Sequence, residues 1–268
     1  MDSLFDTKHL YRSYFKMAFP VVLGLVVTLI YNLADTFFIA QTNDTNLIAG
    51  VSLCSPVFTA LMAFGNIYGQ GGSSLISRML GKQDADGVKR VSSFCFYIAM
   101  VTGVVLAIVM SVFHKPILSL LGADADTLPH AFDYYIVLVL CAPIMVLSFI
   151  HSSLVRCEGM STESMIGTVI GAVVNIILDP ILISAFGMGA MGAAIATVIG
   201  YLCSVLYFLW LLHKKSRCLS VNPAQCRVEG DELRQILDEQ GHCSMTCQFC
   251  DAVYDFSGDE LKALIDSL

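Results

Sequence analysis

The sequence predicts an all-α membrane protein: six transmembrane helices followed by a small cytoplasmic tail that carries cysteines. Three observations predict it. Hydrophobic residues make up 56% of the 268-residue chain, charged residues only 14%, and the mean hydropathy is +0.72, too apolar for a soluble domain of this size. Apolar runs long enough to cross about 30 Å of hydrocarbon, which takes about 20 residues, recur six times. Lysines and arginines gather in alternate connections between those runs, as the topology of a multi-pass protein requires.

Residues 1–16 read as a cytoplasmic amphipathic lead-in, with Asp2, Asp6, Lys8, Arg12 and Lys16 ahead of the first apolar run. That run is too long for a signal-peptide core and lacks a small-residue cleavage site, so it is the first span. The six-helix lobe occupies residues 17–213, with spans at about 17–40, 47–72, 91–113, 130–155, 162–184 and 189–213. Pro20, Pro56, Pro143 and Pro180 fall inside these runs and mark kinks, which membrane helices tolerate where neighbouring groups satisfy the freed carbonyls. A cytoplasmic linker, 214–237, and a tail, 238–268, complete the chain.

Eleven basic residues lie on one side: Lys8, Arg12, Lys16, Arg78, Lys82, Lys89, Arg90, Arg156, Lys214, Lys215 and Arg217. Only Lys115 lies on the other. This asymmetry places both termini in the cytoplasm of a multi-pass protein of the plasma (inner) membrane. The formal charge of -7 says little about substrates, because ten of the 22 acids follow residue 218.

Within the lobe, two carboxylates stand out. An acid at the centre of a membrane helix costs roughly 2.5–3.5 kcal/mol even on the mildest scale, so it needs a reason to be there. Asp179 sits in the run Asn175-Ile176-Ile177-Leu178-Asp179-Pro180, with Asn175 one turn earlier on the same face. Pro180 cannot donate to the carbonyl of Ile176, which leaves a backbone oxygen beside the acid. Asp35 lies 19 residues beyond Lys16, and Asp179 lies 16 beyond Glu163. At 1.5 Å per residue these are depths of about 28 and 24 Å on two parallel helices, similar enough for the two acids to share one cation. Asn32 would add a second amide. Like charges in a dry site favour a pair that holds one proton when no metal cation is bound. The competing reading is that each aspartate only fixes helix packing.

Other features read as structural. Gly65 and Gly69, Gly167 and Gly171, and the series Gly192, Ala196, Gly200 and Ser204 are small-residue stripes that let helix backbones approach closely. Cys54, Cys95, Cys141, Cys157 and Cys203 are scattered packing residues. The stretch GQGGSSLISRMLGKQD is not a phosphate loop, because Gly81-Lys82 is followed by Gln83 and the required upstream glycine is Ile76. With no ATP-hydrolysing motif, uphill transport would draw on an ion gradient.

The segments YNLADTFFI (31–39), SLISRMLGKQDADGVKR (74–90), LVRCEGMSTESMIGTVIGAVVNIILDPILI (154–183) and MGAAIATVIGY (191–201) together resemble the amino-terminal half of the MATE, or multidrug and toxic compound extrusion, transporters, over roughly residues 8–237. The resemblance implies one six-helix lobe of a two-lobed, proton- or sodium-coupled exporter of small organic, cationic compounds. It implies a cation site at Asp35, Asn175, Asp179 and Thr197, and a helix-kink role for Pro20 beside that of Pro180. It also implies that cation binding at the two acids bends the first helix and expels the substrate. The expected partners are the lipid bilayer and either a second copy or a second lobe, with no nucleic acid. No enzyme activity and no cofactor beyond the coupling ion are expected.

After Ile236-Leu237 the chain departs from that family. DEQGHCSMTCQFCDAVYDFSGDELKALIDSL resembles the carboxyl end of the redox-regulated thirty-three-kilodalton heat-shock chaperone, with Cys247 and Cys250 matching its CxxC and the upstream CxC absent. The join near GDELRQIL (230–237) points to a truncated or fused protein. Two thiolates are half of a usual structural zinc set, which His242 and Cys243 could complete. A zinc- or redox-responsive membrane protein is therefore the alternative function. An intramembrane aspartyl protease is a remote one, because the acids sit in LADT and ILDP rather than in that class's YD and GxGD.

Overall fold

A computed structural model of the chain describes residues 10–216, 218–222, 242–246, 253–260 and 262. The chain divides into two compact units, Met1–Cys226 and Arg227–Leu268. Among its described residues the first unit is helical up to Lys214, with short turns between helices, and irregular after it.

Helix α1, Leu10–Ala40, contains Pro20. It is followed by α2, Thr45–Leu53, and α3, Ser55–Gly81. Asp44 caps α2: its Oδ1 accepts the N–H groups of Asn46 at 3.0 Å and Leu47 at 3.2 Å, meeting donors that a helix start leaves unpaired. The expected single span 47–72 is therefore two helices joined at Cys54. The break sits where Pro56, in the first turn of α3, cannot supply the N–H that would continue the ladder.

Helix α4, Ala85–Val112, is capped by Asp84, whose Oδ1 accepts Gly87 N–H at 2.9 Å. A short α5, His114–Leu120, leads to α6, Leu128–Leu140, and α7, Ala142–Cys157. The expected span 130–155 is the pair α6 and α7, bent by 57° at Cys141, with Pro143 in the first turn of α7. Helix α8, Ser161–Asp179, continues into a π-helical segment, Pro180–Ala185, and the chain ends its lobe with α9, Gly189–Lys214. Among the described residues five stretches are long and apolar enough to cross a membrane, and the bent α6–α7 pair makes six.

The core sits around α7, which packs on α3, α4, α8 and α9. One apolar cluster gathers Leu61, Leu118, Tyr135, Leu138, Met145 and Ala194; a second gathers Ile76, Val88, Ile150, Leu154, Phe208 and Leu211. The small-residue stripes do what was expected of them. Ser204 Oγ donates to the carbonyl of Gly167 at 2.8 Å, and a Cβ on Gly200 would stand 2.7 Å from the carbonyl oxygen of Gly171. Helix α1 lies against α8 at the edge, with Phe19, Leu25, Leu29, Leu33 and Phe37 exposed, as lipid-facing side chains are in a bilayer.

After α9 the chain is tied back to the lobe. Ser220 O accepts both Ser92 Oγ and Ser93 Oγ at 3.0 Å, and Glu158 Oε1 accepts Ser216 Oγ at 3.0 Å and Cys218 N–H at 2.9 Å. The second unit contains an antiparallel pair, β1, His242–Thr246, and β2, Val253–Ser257, with His242 opposite Ser257.

Candidate functional site: a buried acid cluster beside a cavity

Helix α8 delivers Asn175 and Asp179 from one face, one turn apart, against α9. The glycines that let α8 and α9 approach also bring Thr197 into reach. Asn175 Nδ2 donates to Asp179 Oδ1 at 3.3 Å and to Thr197 Oγ1 at 3.4 Å, so the amide bridges the carboxylate to the neighbouring helix. All three residues are buried, Asp179 completely at 0% exposure.

Asp35, on α1, makes no hydrogen bond to the cluster. It is half-buried, and the two carboxylates lie within electrostatic reach of one another. Asn32 does not join them as an extra amide: it is exposed, and only its backbone carbonyl is engaged, accepting Thr36 Oγ1 at 2.9 Å.

The cluster has a surplus of acceptors. Asp35 Oδ1, Asn175 Oδ1 and Asp179 Oδ2 are each buried and make no hydrogen bond. Each such oxygen costs about 1–3 kcal/mol if left unmet. Asn175 has already spent its amide on the other oxygens of the site, so what the cluster can still take up is a proton or a small hard cation. The available donor atoms are carboxylate, amide and hydroxyl oxygens, which suit sodium or a proton and not a soft metal. Among the described residues no three His, Cys, Asp or Glu side chains cluster as a metal site. Cys247 and Cys250 lie outside the described residues.

A cavity of about 330 Å³ adjoins the cluster. Asn175 and Thr197 line it, whereas Asp35 and Asp179 do not. Pro20 is buried and faces it from α1. Pro180 begins the π-helical segment directly after Asp179. Such wide turns are uncommon and recur at functional sites.

Sequence reasoning missed three tyrosines here. Tyr31 and Tyr201 both line the cavity, and their hydroxyls meet at 3.1 Å across α1 and α9. Tyr134, from α6, is buried within electrostatic reach of Asp35, Tyr31 and Asp179. A signal existed for two of them: Tyr31 precedes Asp35 by four residues and Tyr201 follows Thr197 by four, the spacing that shares a helix face.

Membrane-crossing helices around a cavity with buried acids beside it are an architecture that a multi-pass membrane transporter has. The chain belongs to the MatE family, whose sequence model matches residues 20–181. It is 34% identical over 232 residues to the multidrug export protein MepA of Staphylococcus aureus, covering 87% of this chain and 51% of MepA. Two solved structures of multidrug resistance MATE family transporters resemble it. An outward-facing one has a TM-score of 0.76 at 29% identity, covering 83% of this chain and 49% of its own. An inward-facing one has a TM-score of 0.71 at 28% identity, covering 81% and 51%. The chain spans about half the length of the curated relatives it matches.

Proposed function

We propose that the chain is one lobe of a cation-coupled exporter of small organic compounds, with Asp35, Asn175, Asp179 and Thr197 taking up the coupling proton or sodium ion. The observation that carries this is Asp179: fully buried, tied through Asn175 to Thr197, and left with one unmet oxygen beside a cavity large enough for a small organic molecule. A carboxylate in that setting is expensive unless it is neutralised, so its charge state and the packing around it are linked.

The linkage has a mechanical route. Helix α1 is held mainly by α8, and Pro20 leaves it one backbone bond short at the cavity wall. Neutralising Asp35 and Asp179 together removes repulsion between α1 and α8. Losing the cation restores that repulsion, so the site favours different α1 positions in its two states. A lobe of this shape is matched in both an outward-facing and an inward-facing relative, which supports a lobe that keeps its fold while access alternates.

Both termini face the cytoplasm of the plasma membrane in this reading, which the distribution of basic residues supports. The opposite wall of the transport path comes from a second lobe, a further copy of this chain being one source. Zinc at Cys247 and Cys250 is a separate proposal, tested by the zinc content of the purified protein.

The test is ethidium efflux from energised cells expressing the chain, beside Asp35→Asn and Asp179→Asn. Efflux that stops in both variants, with unchanged protein levels in the membrane, supports the reading. Efflux that persists in both variants overturns the role of the acids.

A further inference from the structure

We infer that the Lys214 end of α9 is a docking surface for an anionic phospholipid, with Lys214 taking the headgroup and Trp210 marking the hydrocarbon boundary beneath it. The surface lies outside the cavity, which neither residue lines, and it stands whether or not the lobe transports.

The surface is built on one row of α9. Leu202, Leu206, Trp210 and Lys214 recur every four residues, the spacing that shares a helix face, and all four are exposed. From Leu202 to Lys214 is 12 residues, about 18 Å at 1.5 Å per residue. That is the distance from near the middle of a hydrocarbon core about 30 Å thick to its headgroup boundary. The row therefore spans one leaflet: leucines at acyl-chain depth, an indole at the boundary where aromatic rings gather, and an ammonium at headgroup level. Tyr207 flanks the indole, with ring centroids 6.1 Å apart, and Ile166 on the packed neighbour α8 is exposed as well.

Charge decides which lipid fits. Lys215 Nζ pairs with Glu163 Oε1 at 3.2 Å, so the adjacent lysine and the acid of α8 cancel. Lys214 Nζ stands instead 5.3 Å from the centroid of the Trp210 ring, and among the described residues no carboxylate pairs with it. A ring face orients an ammonium without neutralising it, and all three N–H donors stay available. The other groups at this end leave that charge in place. His213 is exposed, Tyr207 lies within electrostatic reach of both Glu163 and Lys215, and Glu158 Oε1 accepts Ser216 Oγ and Cys218 N–H.

An ammonium fixed at the membrane boundary with no counter-ion attracts a headgroup phosphate through charge-assisted hydrogen bonds, roughly twice as strong as neutral ones. A zwitterionic headgroup brings its own cation, which offsets the attraction. A headgroup with net negative charge brings none. In the orientation proposed above this end of α9 lies in the cytoplasmic leaflet, the anionic surface that basic groups beside a membrane span recognise. The exposed faces of α1 and α4 differ: Phe19, Leu29, Val105 and Ile108 offer apolar contact to the acyl chains of any lipid.

Trp210 is the chain's single tryptophan, so its fluorescence reports on this surface alone. The purified full chain is reconstituted into vesicles of phosphatidylcholine and phosphatidylglycerol in which one or the other lipid is brominated on its acyl chains, each reading being normalised to unbrominated vesicles of the same composition. The expected result is quenching by brominated lipid, with phosphatidylglycerol occupying the surface about threefold above its share of the bilayer. Lys214→Gln is expected to bring the two lipids to parity, and Lys214→Arg, which keeps the charge, to retain most of the preference. Both lipids are present in both leaflets, so the result does not depend on which way the chain inserts. Quenching by neither lipid overturns the surface as a lipid contact. Equal occupancy by the two lipids, or an excess of phosphatidylcholine, overturns the anionic preference, and a preference that survives Lys214→Gln overturns the role of Lys214. The exporter reading stands apart from all of these outcomes, because its own test reads the acids of the cavity side.

Discussion

At the scale of the residue, the site depends on the Asn175 amide. It is the donor that meets Asp179 and the bond that reaches Thr197. Asn175→Ala would leave one more buried carboxylate oxygen unmet, which costs about 1–3 kcal/mol; we expect a lower melting temperature for the purified protein and transport reduced even where folding is rescued by low temperature. Outside the membrane, Asp124 offers a simpler check. Its carboxyl is held below the usual carboxylate range, first by the backbone N–H of Thr127 and then by the Thr127 hydroxyl, both donating to Oδ1, at 2.9 and 2.7 Å. A lowered value means the contribution of this loop is present above the ordinary carboxylate pKa and is lost as pH falls through the lowered one. Thr127→Val should move the Asp124 titration back up, as read by NMR of labelled aspartate.

The acids and Asn175 were legible because polar groups in an apolar run are conspicuous, and the i to i+4 spacing named their common face. Tyr31 and Tyr201 shared that spacing with Asp35 and Thr197, but they and Tyr134 went unread, since a tyrosine passes as one more large residue of a membrane run until a partner hydroxyl is seen. Arg156, which lines the cavity, was legible only as a marker of topology. Its place there depends on how α7 and α8 meet, which no local pattern encodes.

At the scale of the element, the helices were readable and their breaks less so. Pro56, Pro143 and Pro180 were visible as interruptions, yet each produced a different result: a separate helix α2, a 57° bend at Cys141 and a π-helical segment. A missing N–H fixes where a ladder is interrupted; the packing around it decides whether the chain bends, breaks or widens. The contact between α8 and α9 gives the clearest prediction at this scale. Gly200→Ala would place a methyl group 2.7 Å from the carbonyl oxygen of Gly171, and backbone cannot retreat as a side chain can. Overpacking of this kind costs about 1–3 kcal/mol, so we expect a lower melting temperature together with weakened coupling, because separating α8 from α9 also separates Asn175 from Thr197. Gly71 has open space at its Cβ position, and Gly71→Ala serves as the neutral control.

At the scale of the whole molecule, the lobe matches the MatE family and resembles transporter structures over about half their length. The six-helix architecture followed from composition, run length and the placement of basic residues. The tail was harder to read: its β1–β2 pair gave no alternating pattern strong enough to announce a strand, and its CxxC drew attention to metal chemistry instead. A transport path needs two walls, the second of which a further copy of this chain would supply in the proposed reading, whereas the proposed cation site needs only one lobe.

The most direct measurement is therefore made on the purified chain alone, reconstituted into liposomes: ethidium accumulation driven by an imposed proton or sodium gradient, with Asp179→Asn reconstituted at the same density. The account predicts accumulation that collapses when an ionophore dissipates the gradient and that is absent in Asp179→Asn. Accumulation that proceeds equally in Asp179→Asn, or that ignores the gradient, would contradict it.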